Sequence, residues 1–297
     1  MSATSEAMLQ TAAFAAHEKR DFGEAERLCR TILAVSPGQM QATRLLAEIL
    51  AVTNRPTEAV TLFRQIVPKL EAALATTSIS HALAMLRNRG FRPSGILDVG
   101  AYRGEWTRMA HHFYPEASIL MIEAQPKLDP VLEALASANP GKIDCRMALL
   151  GRERRDAVDF FQMDVPISTG SSLYAEQTRF ARSIIKLPMR CLDDVIADTD
   201  GRKYQLLKLD VQGAELDVLA GAEATLTDVE VLILELSLAE YNRGAPLFTE
   251  VIAALKELDF LIFDLYPLPR TRTGLLLQVD AIFLRPGSPL SAKPPFG

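Results

Sequence analysis

Two carboxylates, Asp210 and Glu235, stand where this 297-residue chain could do acid–base chemistry. Asp210 follows the apolar run Gln205–Leu209 and opens a turn, Val211-Gln212-Gly213-Ala214-Glu215, that leads into a helical pattern. Glu235 closes a second apolar run, Val231–Leu234. Carboxylates at the ends of neighbouring strands can orient and deprotonate a hydroxyl as it attacks an electrophile. They could instead hold a hard divalent cation that lowers the pKa of that hydroxyl, and the sequence leaves the choice open. A carboxylate with an ordinary pKa near ~4 is a weak base for an alcohol, so positioning or a metal has to help. Gln212 and Glu215, beside Asp210, and the distant Ser172 are the residues expected to touch an acceptor.

A second group of residues could hold a nucleotide. Asp98-Val99-Gly100-Ala101-Tyr102-Arg103-Gly104 follows the apolar pair Ile96-Leu97 and leads into a helical pattern. Nineteen residues beyond Gly104, the apolar run Ile119–Ile122 ends in Glu123. A strand, a glycine turn, a helix N-terminus and then a carboxylate for a ribose diol are the parts of a nucleotide crevice. The glycines are spaced G-x-x-x-G, not G-x-G-x-x-G, and Asp98 stands two positions before the first. A carboxylate there would repel a pyrophosphate but suit a cationic amino group, such as the methionine end of S-adenosylmethionine (SAM). The donor site is therefore assigned to Asp98, Gly100, Ala101, Tyr102, Gly104 and Glu123, with the adenine near Ala148 at the end of the third strand. His111 or His112, on the helix after the turn, is an alternative base, and Gly170–Leu173 is expected to act as a lid.

The elements that must position these residues alternate. Strands are predicted at Gly95–Val99, Ser118–Ile122, Ile143–Ala148, Leu206–Leu209, Val231–Leu236 and Phe260–Leu265. Helices are predicted between most of them, at Trp106–Phe113, Lys127–Ala138, Leu216–Leu219 and Leu247–Glu257. Such alternation is the pattern of a doubly wound parallel sheet. The last strands, Phe260–Leu265 and Gln278–Leu284, have no helical pattern between them and are expected to form an antiparallel hairpin. Ala157–Phe161 reads as an additional strand, and Ile167–Lys186 as a polar insertion over the carboxyl ends of the sheet, where Arg179 and Arg182 most simply face solvent.

Residues 1–70 are helical in pattern and carry a repeat of 34: Glu24-Ala25 recurs as Glu58-Ala59, Leu28 as Leu62, Arg30 as Arg64, Ile32 as Ile66 and Leu33 as Val67. Ala12-Ala13 matches Leu46-Ala47 in the same register. The period resembles a pair of tetratricopeptide repeats, too few to stand alone, so this layer is expected to pack on the next helix or on a partner, another protein or a second copy of the chain. Residues 71–93 are read as a linking helix, 94–285 as the nucleotide-binding domain, and the proline-rich 286–297 as a disordered tail.

Composition narrows the classes. A hydrophobic fraction of 48% and a charged fraction of 23% are those of a globular protein, and the net charge of −5 argues against a nucleic-acid partner. Three cysteines without ligand spacing fit a reducing compartment, and no metal site is predicted from them or from the four histidines. With no signal-like segment and no apolar run of membrane-spanning length, the expectation is a cytoplasmic protein without a membrane partner.

Three stretches together resemble the FkbM family of SAM-dependent methyltransferases: Asp98–Thr107 (DVGAYRGEWT), Gly170–Leu173 (GSSL) and Leu207–Gly221 (LKLDVQGAELDVLAG). The resemblance spans roughly residues 90 to 285 and implies a Rossmann-like class I methyltransferase sheet, mostly parallel with a final antiparallel hairpin, behind the all-α repeat region. It also implies methylation of a hydroxyl oxygen on a sugar, glycan or secondary-metabolite acceptor. Two positions depart from the family pattern, which usually has asparagine at 102 and glutamate at 212. The alternatives are a nicotinamide-dependent oxidoreductase using the same crevice, and a non-catalytic binding protein acting through its repeats.

Overall fold

The computed structural model describes residues 3–55, 57–62, 78–163, 170–177, 181–199, 201–240, 242–271 and 273–291. The chain divides into two compact units, Met1–Thr77 and Ser78–Gly297. In the first, helices α1 (Ala3–Glu18), α2 (Phe22–Val35) and α3 (Met40–Val52) are followed by a helical stretch at 57–62. Asp21 caps α2 by accepting from the Glu24 N–H at 3.1 Å, satisfying a donor that the first turn leaves unpaired. Ala25, Leu28, Cys29 and Ile32 fall on one face of α2 and are buried. The small residues matched by the 34-residue period, Ala13 with Ala47 and Ala25 with Ala59, are all buried, which lets neighbouring helices approach closely. Arg64, Ile66 and Val67 of that repeat lie outside the described residues.

The second unit opens with α4 (Ile79–Asn88), then β1 (Gly95–Val99), α5 (Glu105–Phe113), β2 (Ser118–Glu123), α6 (Asp129–Ala138) and β3 (Ile143–Met147). After an insertion come α7 (Leu192–Ala197), β7 (Leu206–Leu209), α8 (Glu215–Ala220), α9 (Glu223–Leu226), β8 (Val231–Ser237), α10 (Phe248–Glu257), β9 (Leu261–Pro267) and β10 (Gln278–Leu284). The insertion itself supplies β4 (Leu149–Leu150), β5 (Arg155–Met163) and β6 (Arg182–Arg190). The main sheet has the order β3-β2-β1-β7-β8-β10-β9, and β10 is antiparallel to both its neighbours. The expected final hairpin is thus present, with β10 wedged between β8 and β9.

Both faces of this sheet are covered, which is why β1 and β7 are buried along their whole length. Alternate residues feed opposite layers. Ile96, Ile119, Leu206, Val231, Ile233 and Ile282 pack with Ala82, Leu83 and Leu86 of α4. Leu97, Val99, Leu207, Leu209, Leu232 and Leu234 pack with Val218, Val251 and Leu255 on the other side. The helix expected to link the domains therefore belongs, from Ile79 on, to the core of the second unit, while Ala72 and Leu74 lie outside the described residues. The tail also differs from expectation. Leu290 is buried in the same layer and its carbonyl accepts from Arg89 Nη1 at 3.1 Å, so the chain packs through at least this point.

The described residues of the insertion form more strand than its composition suggests. β4, β6 and β5 form a second, three-stranded sheet in that order. Along β6 the residues alternate between more and less exposed, with Ser183, Ile185 and Leu187 turned in and Arg182, Ile184 and Lys186 turned out. The outward residues mix charge with isoleucine, which hides the period of two from a polarity reading. Residues 164–169 and 178–180, Arg179 included, lie outside the described residues. No helix among the described residues is long and apolar enough to cross a membrane.

Candidate active site

The carboxyl ends of β1, β2, β7 and β8 meet at one rim of the sheet, as strand ends do in a doubly wound fold. A cleft open to solvent lies there. Gly100, Tyr102, Glu123, Ala148, Ser172 and Asp210 line it, six of the residues singled out by sequence. Asp98, Ala101, Gly104, Gln212, Glu215 and Glu235 do not.

The turn after β1 is held by Glu123. Its Oε2 accepts from the Tyr102 N–H at 2.8 Å, while Oε1 accepts from the N–H groups of Ala124 and Gln125, each at 2.9 Å. Burial pushes the Glu123 carboxyl up against these stabilising donors, first those of Gln125 and Tyr102. Its Oε2 has fewer protein donors than Oε1, which suits it to accept a hydroxyl from the cleft. Tyr102 takes a left-handed backbone with φ of 48°, and Gln212 does the same at 55°. Asparagine, usual in the family at 102, is favoured in that region over a bulky aromatic. Gly100 also has positive φ, and a Cβ there would stand 1.9 Å from the Asp210 carbonyl, so the turns after β1 and β7 touch backbone to backbone. Gly104 serves packing: a Cβ would stand 2.5 Å from Leu135 Cδ2, and the residue begins α5 without lining the cleft. Ala101 likewise packs in the core, its N–H donated to the Ile122 carbonyl at 3.2 Å.

Asp98 departs most from expectation. Its side chain is fully buried, its Oδ2 accepts from Thr107 Oγ1 at 2.6 Å, and its Oδ1 lies 3.2 Å from Lys208 Nζ. A carboxylate neutralised from below neither greets a cationic amino group directly nor repels a phosphate as the bare sequence implied. Lys208, on β7, was not singled out by sequence. It also donates to the Gly100 carbonyl at 3.1 Å and lies 3.6 Å from Asp210 Oδ2. Burial works to strip its proton, but Asp98 and then Asp210 outweigh that and hold it above the usual lysine range. A lysine inside the fully buried run Leu206-Leu207-Lys208-Leu209 was the available signal, because a buried charge demands a partner.

Asp210 stands at the cleft wall with its side chain 30% exposed. Glu235 lies in β8, not at its end, with two residues of strand beyond it. The two carboxylates each follow the paired residues Leu209 and Leu234 by one position, and the Gln212 amide joins them. Gln212 Nε2 is 2.6 Å from Asp210 Oδ1 and 2.8 Å from Glu235 Oε1. Gln278 Nε2 donates to the same Glu235 oxygen at 2.5 Å, and Asp280 is the cross-strand neighbour of Glu235. Burial, then the Asp210 charge, push Glu235 well above the usual carboxylate range, and the same causes push Asp280 up to about 7.

Three residues expected at the acceptor have structural duties. Ser172 Oγ lies 2.8 Å from the Gln212 carbonyl and 3.1 Å from that of Val211, so its single proton is committed to the turn. Glu215 is buried and turns back on its own segment, Oε1 accepting from the N–H groups of Gly213 at 3.1 Å and Val211 at 3.2 Å. Burial pushes its carboxyl up to about 7 despite those donors. Gln212 uses both amide hydrogens on carboxylates. Neighbouring Ser171 lines the cleft and donates from Oγ to Gln125 Oε1 at 3.1 Å, so Gly170–Leu173 is a clasp tying the Glu123 loop to the Asp210 turn. His111 and His112 lie on α5 away from the cleft, His112 against the Phe113 ring. Among the described residues no three His, Cys, Asp or Glu side chains gather as a cation site.

The seven-stranded sheet with one antiparallel strand next to its edge, and a cleft over its carboxyl ends, make this a Rossmann-like class I methyltransferase fold. The chain belongs to the FkbM methyltransferase family, whose domain matches residues 98–262. It is 29% identical over 165 residues to the 2-O-methyltransferase NoeI of Sinorhizobium fredii (strain NBRC 101917 / NGR234), covering 50% of this chain and 65% of that protein. It is 26% identical over 162 residues to Methyltransferase 1 of Beauveria bassiana (strain ARSEF 2860), covering 48% of this chain and 64% of that one. The matched regions thus span just under two thirds of these relatives. Among solved structures, magnesium protoporphyrin IX methyltransferase (ChlM) from Synechocystis PCC 6803 with bound SAM is similar at a TM-score of 0.42 and 13% identity, covering 70% of this chain and 77% of that one.

Proposed function

We propose that this chain transfers a methyl group from SAM to a hydroxyl oxygen of a sugar or secondary-metabolite acceptor. The observation that carries the reading is the place of Asp210, a partly buried carboxylate at the wall of the cleft that Gly100, Tyr102 and Glu123 also line. Family membership supports methyl transfer, and the name of the relative NoeI supports oxygen as the accepting atom.

The cleft fits SAM by the chemistry of its lining. Ala148, Leu149, Phe160 and Leu173 offer an apolar slot for a flat heterocycle. Glu123 offers an acceptor for ribose hydroxyls. When bound, SAM supplies an electrophilic methyl carbon, to which the acceptor oxygen bonds as the carbon–sulfur bond breaks. Asp210 orients the acceptor hydroxyl and takes its proton. Glu235, through Gln212, sets the direction of the Asp210 carboxylate. The Gly170–Leu173 clasp keeps the two halves of the cleft together and restricts water.

Calorimetric titration with SAM and with its demethylated product tests the donor, and Asp210→Asn tests the acceptor side. The variant should abolish turnover while changing donor affinity by no more than about threefold, less than ~1 kcal/mol. Equal loss of both would make Asp210 a structural or donor-binding residue.

A further inference from the structure

Lys208 is the one charged residue of β7, its side chain 9% exposed, and removing an ammonium from water is unfavourable unless its hydrogen bonds are replaced. Gly100 O accepts a hydrogen bond at 3.1 Å, and Asp98 Oδ1 at 3.2 Å and Asp210 Oδ2 at 3.6 Å balance the charge as ion pairs. The Trp106 ring, its centroid 6.0 Å from Nζ, closes another side. Asp98 lies in β1 two residues before the Gly100 turn, and Asp210 lines the cleft. One cation therefore spans the buried and the exposed carboxylate. Among the described residues no other basic group comes within ion-pair distance of Asp210, Glu235 or Asp280.

The groups around this cation are mostly acidic. Asp98 faces it from β1, Glu235 from β8 and Asp280 from β10, with Glu215 beyond the Asp210 turn and only the neutral Thr107 and Trp106 from α5. Of the two carboxylates joined by Gln212, Asp210 is the one within ion-pair distance of the ammonium, and a nearby opposite charge favours the ionised form of the closer carboxyl. We propose that Lys208 is a positioning residue for the transfer, holding Asp210 as the charged member of the Asp210–Gln212–Glu235 chain and leaving the proton of that chain on Glu235. The proposal rests on the methyltransferase reading and states which carboxylate is free to meet the acceptor. A purely structural Lys208 would do no more than neutralise Asp98.

The two roles separate in the double variant Asp98→Asn/Lys208→Met, which removes both members of the buried pair and leaves Asp210 with no cation. The full chain, labelled with ¹³C at its Asp and Glu carboxyl carbons and without ligand, is titrated by NMR. The Asp210 and Glu235 signals are assigned by their loss in Asp210→Asn and Glu235→Gln. The wild type should show Glu235 titrating at higher pH than Asp210. The folded double variant should raise the Asp210 midpoint by about one unit or more, a tenfold change in proton affinity. An Asp210 midpoint unchanged in the double variant, or Asp210 titrating above Glu235 in the wild type, overturns the proposal. Should the double variant not fold, Lys208→Arg keeps the cation: the wild-type order of the two signals is expected, and its reversal overturns the proposal. The titration needs no SAM, so failure of the donor assignment, read by calorimetry, stays distinguishable.

Discussion

Gln212 stands between Asp210 and Glu235 with one amide nitrogen 2.6 Å from the first carboxylate and 2.8 Å from the second. Both of its N–H groups are spent on carboxyl oxygens, and its backbone sits at a φ of 55°, which few side chains of its size adopt. The strained backbone is kept in place by Ser172 and Asn242, both donating to the Gln212 carbonyl. Substituting Gln212→Leu keeps the bulk and removes the bridge. Turnover should fall at least about tenfold, and the unpaired carboxyls should lower stability by about 1–3 kcal/mol. Steady-state kinetics with an identified acceptor and urea denaturation check both, and an unchanged kcat would remove the pair from the mechanism.

Ser172→Ala discriminates a clasp from an acceptor contact. Losing the bond to the Gln212 carbonyl should cost about 1–2 kcal/mol and lower Tm by a few degrees. A rise in acceptor KM without any change in Tm would restore Ser172 to the acceptor site instead.

Gly104→Ala should be destabilising by about 1–3 kcal/mol, because the new Cβ meets Leu135 and the backbone holds a φ of 74°. Thermal denaturation reads this directly. Wild-type stability in this variant would mean that α5 and α6 can move apart at no cost.

Glu215 imposes a pH dependence on folding. Its carboxyl rises from an ordinary value of 4.5 to about 7 on burial, so the native chain binds a proton that the unfolded chain has released. The stability this contributes is full below about 4.5 and is lost as pH rises through about 7, an effect on the order of 3 kcal/mol from this group. Urea denaturation at intervals between those limits should show the decline in the wild type and a flatter profile in Glu215→Gln. Identical slopes in the two would show that Glu215 does not titrate in this window.

Much of the fold was legible because local rules and the global arrangement agree. The buried strands read as unbroken apolar runs, the helices as stripes, and Asp98–Gly104 and Asp210–Glu215 as turns at strand ends. The second sheet was partly missed because β6 carries outward-facing charge and isoleucine alike, and α7 and α9 because four to six residues hold too few turns for a helical period. Of the site, sequence identified Gly100, Tyr102, Glu123, Ala148 and Asp210 as residues at one crevice, since chain direction alone puts strand ends together.

Sequence by itself determined the family, the alternation of strand and helix, and the two carboxylates that follow β7 and lie in β8, because each is written in types and spacing along a few consecutive residues. Partnership was decided only by the tertiary structure. Asp98 and Lys208 are 110 positions apart and oppose each other across β1 and β7, so one buries the charge of the other. Ser172 and Glu215 turn to the backbone carbonyls and amides of the Asp210 turn, which folding brings beside them. A side chain's partners follow from strand register and burial, and neither is set until the distant segments have packed.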